Sequence, residues 1–164
     1  MPEALRDESE IQLDHTWHLN VDESNEDAET AVFDFAQEIQ TSLKEECWGI
    51  DANSTKRIRY IIDELSKNAI IYGEAKKIEI KIEKFENVLI VKIIDNGNPF
   101  DPVEKYKAAL EISAEKRIRE IGGLGIIGSL GMMENLKYER LGEHNVLSGT
   151  LKKSEQKESN GSSE

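Results

Sequence analysis

The stretch Lys77–Pro99, KIEIKIEKFENVLIVKIIDNGNP, decides the fold. Ile78, Ile80 and Ile82 alternate with charged residues, so this run reads as a strand with one buried and one solvated face. Phe85-Glu86-Asn87 makes a turn. Val88–Ile94 is apolar except for Lys92, which predicts a more central strand. It stops at Asp95-Asn96-Gly97-Asn98-Pro99, a strong turn signal.

Upstream of this pair the period changes from two to that of a helix. His15–Val21 alternates and reads as a short strand. Asp22-Glu23-Ser24 offers N-cap chemistry for a helix reaching about Cys47, with Ala28, Ala31, Val32, Phe35, Ile39 and Leu43 inward. After a break at Gly49, a second helix runs from about Asn53 to Tyr72. Ile58, Ile61, Ile62, Leu65, Ala69 and Ile70 form its apolar face, and Gly73 is its expected C′ residue. Downstream, residues 103–121 are charged and partly helical. A third helix is expected over about Ile126–Glu134. Leu136–Leu141 and Asn145–Leu151 close as a hairpin around Gly142-Glu143-His144. The sum is α+β: a two-layer sandwich with a mixed, mostly antiparallel sheet and helices on one face.

The chain has 164 residues, the size of one domain. Residues 12–152 form the expected folded unit, between an acidic tail (1–11) and a disordered tail (153–164) lacking large apolar residues. Net charge is −12, from 33 acidic and 21 basic residues, which argues against direct nucleic-acid or anionic-membrane binding. The single cysteine, Cys47, excludes an intramolecular disulfide and reads as a core or half-buried thiol. The start has no basic n-region and apolar h-region, and no run approaches membrane-spanning length, so a cytoplasmic protein is expected.

Three features could carry chemistry. Glu64 and Asn68 lie four residues apart on the second helix and share a face. They could present oxygens to Mg²⁺, or Glu64 could accept a proton from an attacking hydroxyl; a solvated helix face presents the same pair. Asp95 emerges from a buried strand, where a carboxylate can accept a hydrogen bond from a ligand amine. Gly97 there allows close backbone approach, although an ordinary turn uses the same residues. Gly122, Gly123, Gly125, Gly128 and Gly131 fall within ten residues at the expected start of a helix. Such a turn suits phosphate, and it also suits a hinge or tight helix packing. It is not a Walker A loop, because no Gly-Lys-Ser/Thr follows.

In that order, Glu-x-x-x-Asn, a strand ending Asp-x-Gly and a glycine-rich loop resemble the GHKL ATPase superfamily of gyrase B, Hsp90, histidine kinases and MutL. The chain looks more closely like the bacterial anti-sigma factor serine/threonine kinases. The resembling segments are Asp63–Gly73 (DELSKNAIIYG), Asp95–Pro102 (DNGNPFDP), Gly122–Ile127 (GGLGII) and Met132–Arg140 (MMENLKYER). The resemblance implies a Bergerat-type site for ATP and Mg²⁺. Glu64 would be the general base and Asn68 the metal ligand. Asp95 would hold the adenine amine, and Gly97, Phe100, Gly122, Gly123, Leu124, Gly125 and Thr150 would complete the nucleotide site. Lys116, Arg117 and Arg119 fall in the lid, where solvated positions are the simpler reading. The family's activity would be phosphorylation of a STAS-type anti-anti-sigma protein by a homodimer that also binds a sigma factor. Two alternatives stay open: a partner-sequestering module with little turnover, and a detached histidine-kinase catalytic domain. Tyr72 departs from the histidine these kinases commonly carry before the glycine.

Overall fold

The computed structural model describes residues 13–21, 27–45, 48–86, 88–112, 115–116 and 124–152. The two tails, the Asp22-Glu23-Ser24 cap, Cys47, Arg117, Arg119, Gly122 and Gly123 lie outside them.

Five strands form one sheet: β1 (Leu13–Asn20), β2 (Lys77–Phe85), β3 (Val88–Asp95), β4 (Met133–Leu141) and β5 (His144–Leu151). Their spatial order is β1-β2-β3-β5-β4 and every neighbouring pair is antiparallel, so the expected mixed character is absent from the described strands. The helices are α1 (Ala28–Glu45), α2 (Ala52–Ile71), α3 (Pro102–Glu111) and α4 (Leu124–Gly131). They cover one face of the sheet in a two-layer α+β arrangement.

The two periods read in the sequence build the core. Ile78, Ile80 and Ile82 turn one side of β2 inward, joined by Trp17 of β1, Val91 and Ile93 of β3, and Leu147 and Leu151 of β5. Val32, Phe35, Ala36, Ile39 and Leu43 recur at helical spacing on α1, and Ile58, Ile61, Ile62 and Leu65 on α2. Ile61, Ile62, Ile80 and Ile82 are wholly buried, each contributing about 1.5–3 kcal/mol of apolar burial. Among the described residues no helix is long and apolar enough to cross a membrane.

Helix α2 starts on Asp51, whose carboxylate accepts from the Ser54 amide at 2.9 Å and the Ser54 hydroxyl at 2.7 Å. These bonds, the Ser54 hydroxyl first, hold the Asp51 carboxyl below its usual range. Its end differs from the expected left-handed Gly73. Tyr72 closes the helix in right-handed geometry and the left-handed residue is Glu74, at φ 56°. Gly73 is required for space instead: a Cβ there would stand 2.6 Å from the Ala69 carbonyl oxygen.

Helix α4 ends at Gly131, three residues before the expected Glu134, because Met133 already pairs with Leu151 as the first residue of β4. Of its extra glycines, Gly128 faces α2: a Cβ there would lie 2.8 Å from the Tyr60 hydroxyl, so its missing side chain leaves room for that ring.

Candidate functional site

A cavity opens where the C-terminal half of α2 meets the ends of β3 and β5. Leu65, Asn68, Ala69, Gly73, Ile93, Asp95, Asn98, Phe100, Pro102, Tyr138, Asn145 and Leu147 line it. Apolar walls with a few convergent polar groups are typical of a small-molecule site.

Asp95 is the last residue of β3 and is buried. Its Oδ1 accepts from the Gly97 amide at 2.8 Å and from Asn145 Nδ2 at 2.9 Å. Among the described residues nothing donates to Oδ2, which leaves one carboxylate oxygen for a ligand amine. The following loop is tied down at several points. Asn96 Oδ1 accepts from the Lys76 and Lys77 amides, and the Asn98 amide donates to the Gly73 carbonyl at 2.7 Å. That second bond brings Gly97 against the end of α2, where a Cβ would sit 2.7 Å from the Gly73 oxygen and 3.2 Å from the Ala75 Cβ. Gly97 is therefore demanded by the protein's own backbone, a stronger reason than approach to a ligand ring.

The loop ends by starting α3. Asp101 Oδ1 accepts from the Val103 and Glu104 amides at 2.9 and 3.1 Å, and Pro102 occupies the first turn. The Pro-Phe-Asp-Pro segment is thus a helix N-cap with proline just inside it. It sets Phe100 and Pro102 into the cavity wall.

Asn68 lines the cavity, and Glu64 lies one turn earlier on the same side of α2. The Glu64 carboxylate packs against Gly125, where a Cβ would overlap Glu64 Oε2. The first turn of α4 therefore lies against the Glu64 carboxylate, and a side chain at position 125 would have to displace it. Burial first, then the charges of Glu64 and Asp63, push up the pKa of the neighbouring Tyr60 hydroxyl. On the next turn Lys67 donates to Asp63 at 2.7 Å, and that bond is the main reason its pKa is raised.

Among the expected residues that the structure describes, Asn68, Asp95 and Phe100 line the cavity, and Glu64, Gly97, Gly125, Leu124 and Thr150 do not. Leu124 is 58% exposed at the start of α4, outside the cavity wall. Thr150 pairs with Ile90, whereas the inward residues of β3, Val91 and Ile93, pair with Gly149 and Leu147. Strand alternation therefore turns Thr150 to the opposite face of the sheet, away from Asp95. The β5 residue that reaches Asp95 is Asn145, buried and paired with it in register. Tyr138 and Arg140 of β4 join it: Tyr138 Oη and Arg140 Nη1 donate to Asn145 Oδ1 at 2.7 and 3.1 Å. None of these three was singled out from the sequence. Counting by twos back from Leu151 and Leu147 puts Asn145 on the core side, a polar residue where an apolar one is expected.

Asn68 lines the cavity, and an amide oxygen is a ligand type that suits a hard cation taking its other ligands from phosphates and water. Among the described residues no three His, Cys, Asp or Glu side chains are grouped to hold a metal by themselves.

The comparison with family models agrees with this layout. A family model described as a histidine kinase-like ATPase domain matches residues 24–150. No curated protein gave a match. Among solved structures, the Acinetobacter baumannii histidine kinase AdeS is similar, with 22% identity and a TM-score of 0.40, covering 59% of this chain and 46% of that one. The chain thus spans less than half of that matched chain. Since a single family model spans most of its length, the protein belongs to the histidine kinase-like ATPase domain family, of the GHKL ATP-binding type.

Proposed function

We propose that this chain is an ATP-dependent protein-serine/threonine kinase that acts as an anti-sigma factor in a partner-switching pathway and phosphorylates a STAS-type anti-anti-sigma protein. The observation that carries the reading is the position of Glu64, one turn from Asn68 and in contact with Gly125 at the start of α4. A carboxylate one turn from Asn68, beside the start of α4, suits a base that receives a proton from an incoming hydroxyl.

In this reading the adenine amine donates to Asp95 Oδ2, and the base lies against Ile93, Leu147 and Phe100. By the resemblance, Gly123 and Gly125 would bracket the triphosphate. Asn68 would hold Mg²⁺, which would supply charge to offset the phosphates. The substrate hydroxyl oxygen forms a bond to the γ-phosphorus as the bond to the β,γ-bridging oxygen breaks. Glu64 takes the hydroxyl proton and ADP leaves. Catalysis then rests on positioning and charge stabilisation. A homodimer that also binds a sigma factor in the cytoplasm completes the proposal.

The test is incubation of the full chain with γ-labelled ATP, Mg²⁺ and candidate STAS proteins of the same genome. Acid-stable label on a STAS serine or threonine is the expected result. Tight sigma-factor binding without label would replace the proposal with a sequestering module. Acid-labile label on a histidine would replace it with a detached histidine-kinase catalytic domain.

A further inference from the structure

The polar residues behind Asp95 form a closed network. Asn145 is 5% exposed and its side-chain amide makes four hydrogen bonds. Its Nδ2 donates to Asp95 Oδ1 and to the Asn98 carbonyl, each at 2.9 Å. Its Oδ1 accepts from Tyr138 Oη and Arg140 Nη1. Two donors and two lone pairs are a primary amide's whole capacity, so Asn145 is saturated. Its orientation is also forced. A flipped amide would point its NH₂ at a guanidinium, which only donates, and its oxygen at a carboxylate and a carbonyl, which only accept.

Arg140 extends the network to the backbone. Nη1 also donates to the Gly97 carbonyl at 2.8 Å, and Nε donates to the Gly142 carbonyl at 3.1 Å. One guanidinium thus joins the β4–β5 turn, the Asn145 amide and the loop after Asp95. The amide lies between a cation and an anion, with its dipole aligned to both. Inside a protein such chains strengthen when complete and are costly when one member is lost.

We infer that Arg140, Tyr138 and Asn145 are positioning residues that set the choice of base: they hold Asp95 as a fixed acceptor, so that the cavity takes a 6-amino purine and rejects a 6-oxo purine. The inference rests on the ATP-binding reading of the cavity. Asn145 and the Gly97 amide occupy Oδ1, and the rigid carboxylate then presents Oδ2 alone. An exocyclic amine donates to that oxygen, whereas a 6-oxo group meets it with a second acceptor. A site built to pair a specific polar group rejects the analogue lacking it because its own buried group is left unpaired. If the network is loosened, the carboxylate can turn away. The amine then loses its partner, and the 6-oxo base is relieved of the repulsion.

The experiment titrates the full chain calorimetrically with ATP and with inosine triphosphate, at equal Mg²⁺. The two nucleotides differ only around the 6-position of the base. The native protein is expected to prefer ATP. Arg140→Met keeps the aliphatic stem, and it should lower the ATP/ITP affinity ratio about 10-fold or more, as loss of a charge-assisted bond implies. Asn145→Leu should do the same. Tyr138→Phe removes one bond from a half-buried ring and should lower the ratio about 2- to 5-fold. Thermal unfolding of each variant checks that it is folded; if Asn145→Leu is not, the other two carry the test. A merely structural role would lower both affinities in proportion and leave the ratio where it was. That result in folded Arg140→Met and Tyr138→Phe overturns the inference while ATP binding stands, as would a native protein that binds both nucleotides equally. A native protein that binds neither overturns the ATP reading itself.

Discussion

Gly97→Ala separates two reasons for a glycine after the strand-end aspartate. The added Cβ would stand 2.7 Å from the Gly73 carbonyl oxygen, 3.0 Å from Asp95 Oδ1 and 3.2 Å from the Ala75 Cβ. An ordinary contact begins at 3.4 Å, so the loop must move by about 0.7 Å from the end of α2. The closest atom belongs to the backbone, so no side-chain rotation relieves it. The move stretches the Asn98–Gly73 hydrogen bond and the Arg140 bond to the Gly97 carbonyl. Overpacking of this kind costs about 1–3 kcal/mol, against about 0.4–1 kcal/mol gained by stiffening the unfolded chain. A net loss of about 1–2 kcal/mol is expected, or about 3–6 °C in Tm for a domain of this size. Urea denaturation and thermal unfolding without nucleotide measure it. If Gly97 were needed only so that a ligand can approach, the unliganded variant would be as stable as the native protein or slightly more stable. That outcome would refute the packing argument.

Other expectations follow from single contacts. Glu64→Ala should leave ATP affinity within about 3-fold while phosphoryl transfer falls by about 10²-fold or more; unchanged transfer in a single-turnover assay removes Glu64 from the base role. Asp51→Ala should cost about 0.5–2 kcal/mol by removing the α2 cap. Because the Asp51 pKa is lowered in the folded state, its stabilisation is present above the unfolded pKa and fades as pH falls through the folded one. The native and Asp51→Ala urea midpoints should therefore converge below about pH 4, and a constant gap down to pH 2 would contradict the cap.

Much of the fold could be read from period alone. The isoleucines at 78, 80 and 82 and the stripe through Ile58, Ile61, Ile62 and Leu65 fixed faces that the structure reproduces. The cavity was legible where it depends on local order, at Asn68, Asp95 and the DNGNPFDP loop. It was not legible where it depends on register. Whether Thr150 or Asn145 faces Asp95 turns on the parity of β5 pairing, and a hydroxyl near a strand end gives no parity by itself. Tyr138 and Arg140 were hidden for a similar reason, because only the β4–β5 register, with its irregularity between Glu134 and Lys137, brings them beside Asn145. Gly128 looked like a helix weakener, since the Tyr60 side chain it stands against lies far away in sequence.

The central claim is that the cavity between α2, β3 and β5 holds the base of ATP through Asp95. Calorimetric titration of native protein and Asp95→Asn with ATP and Mg²⁺ tests it most directly. Asp95→Asn keeps the side chain's size but replaces the acceptor pair with an amide, beside the Asn145 and Gly97 donors. The account predicts saturable one-site binding by the native chain and a loss of about 10-fold or more in the variant, with both proteins folded. Equal ATP affinity in the two proteins, or no binding by the native one, would contradict it.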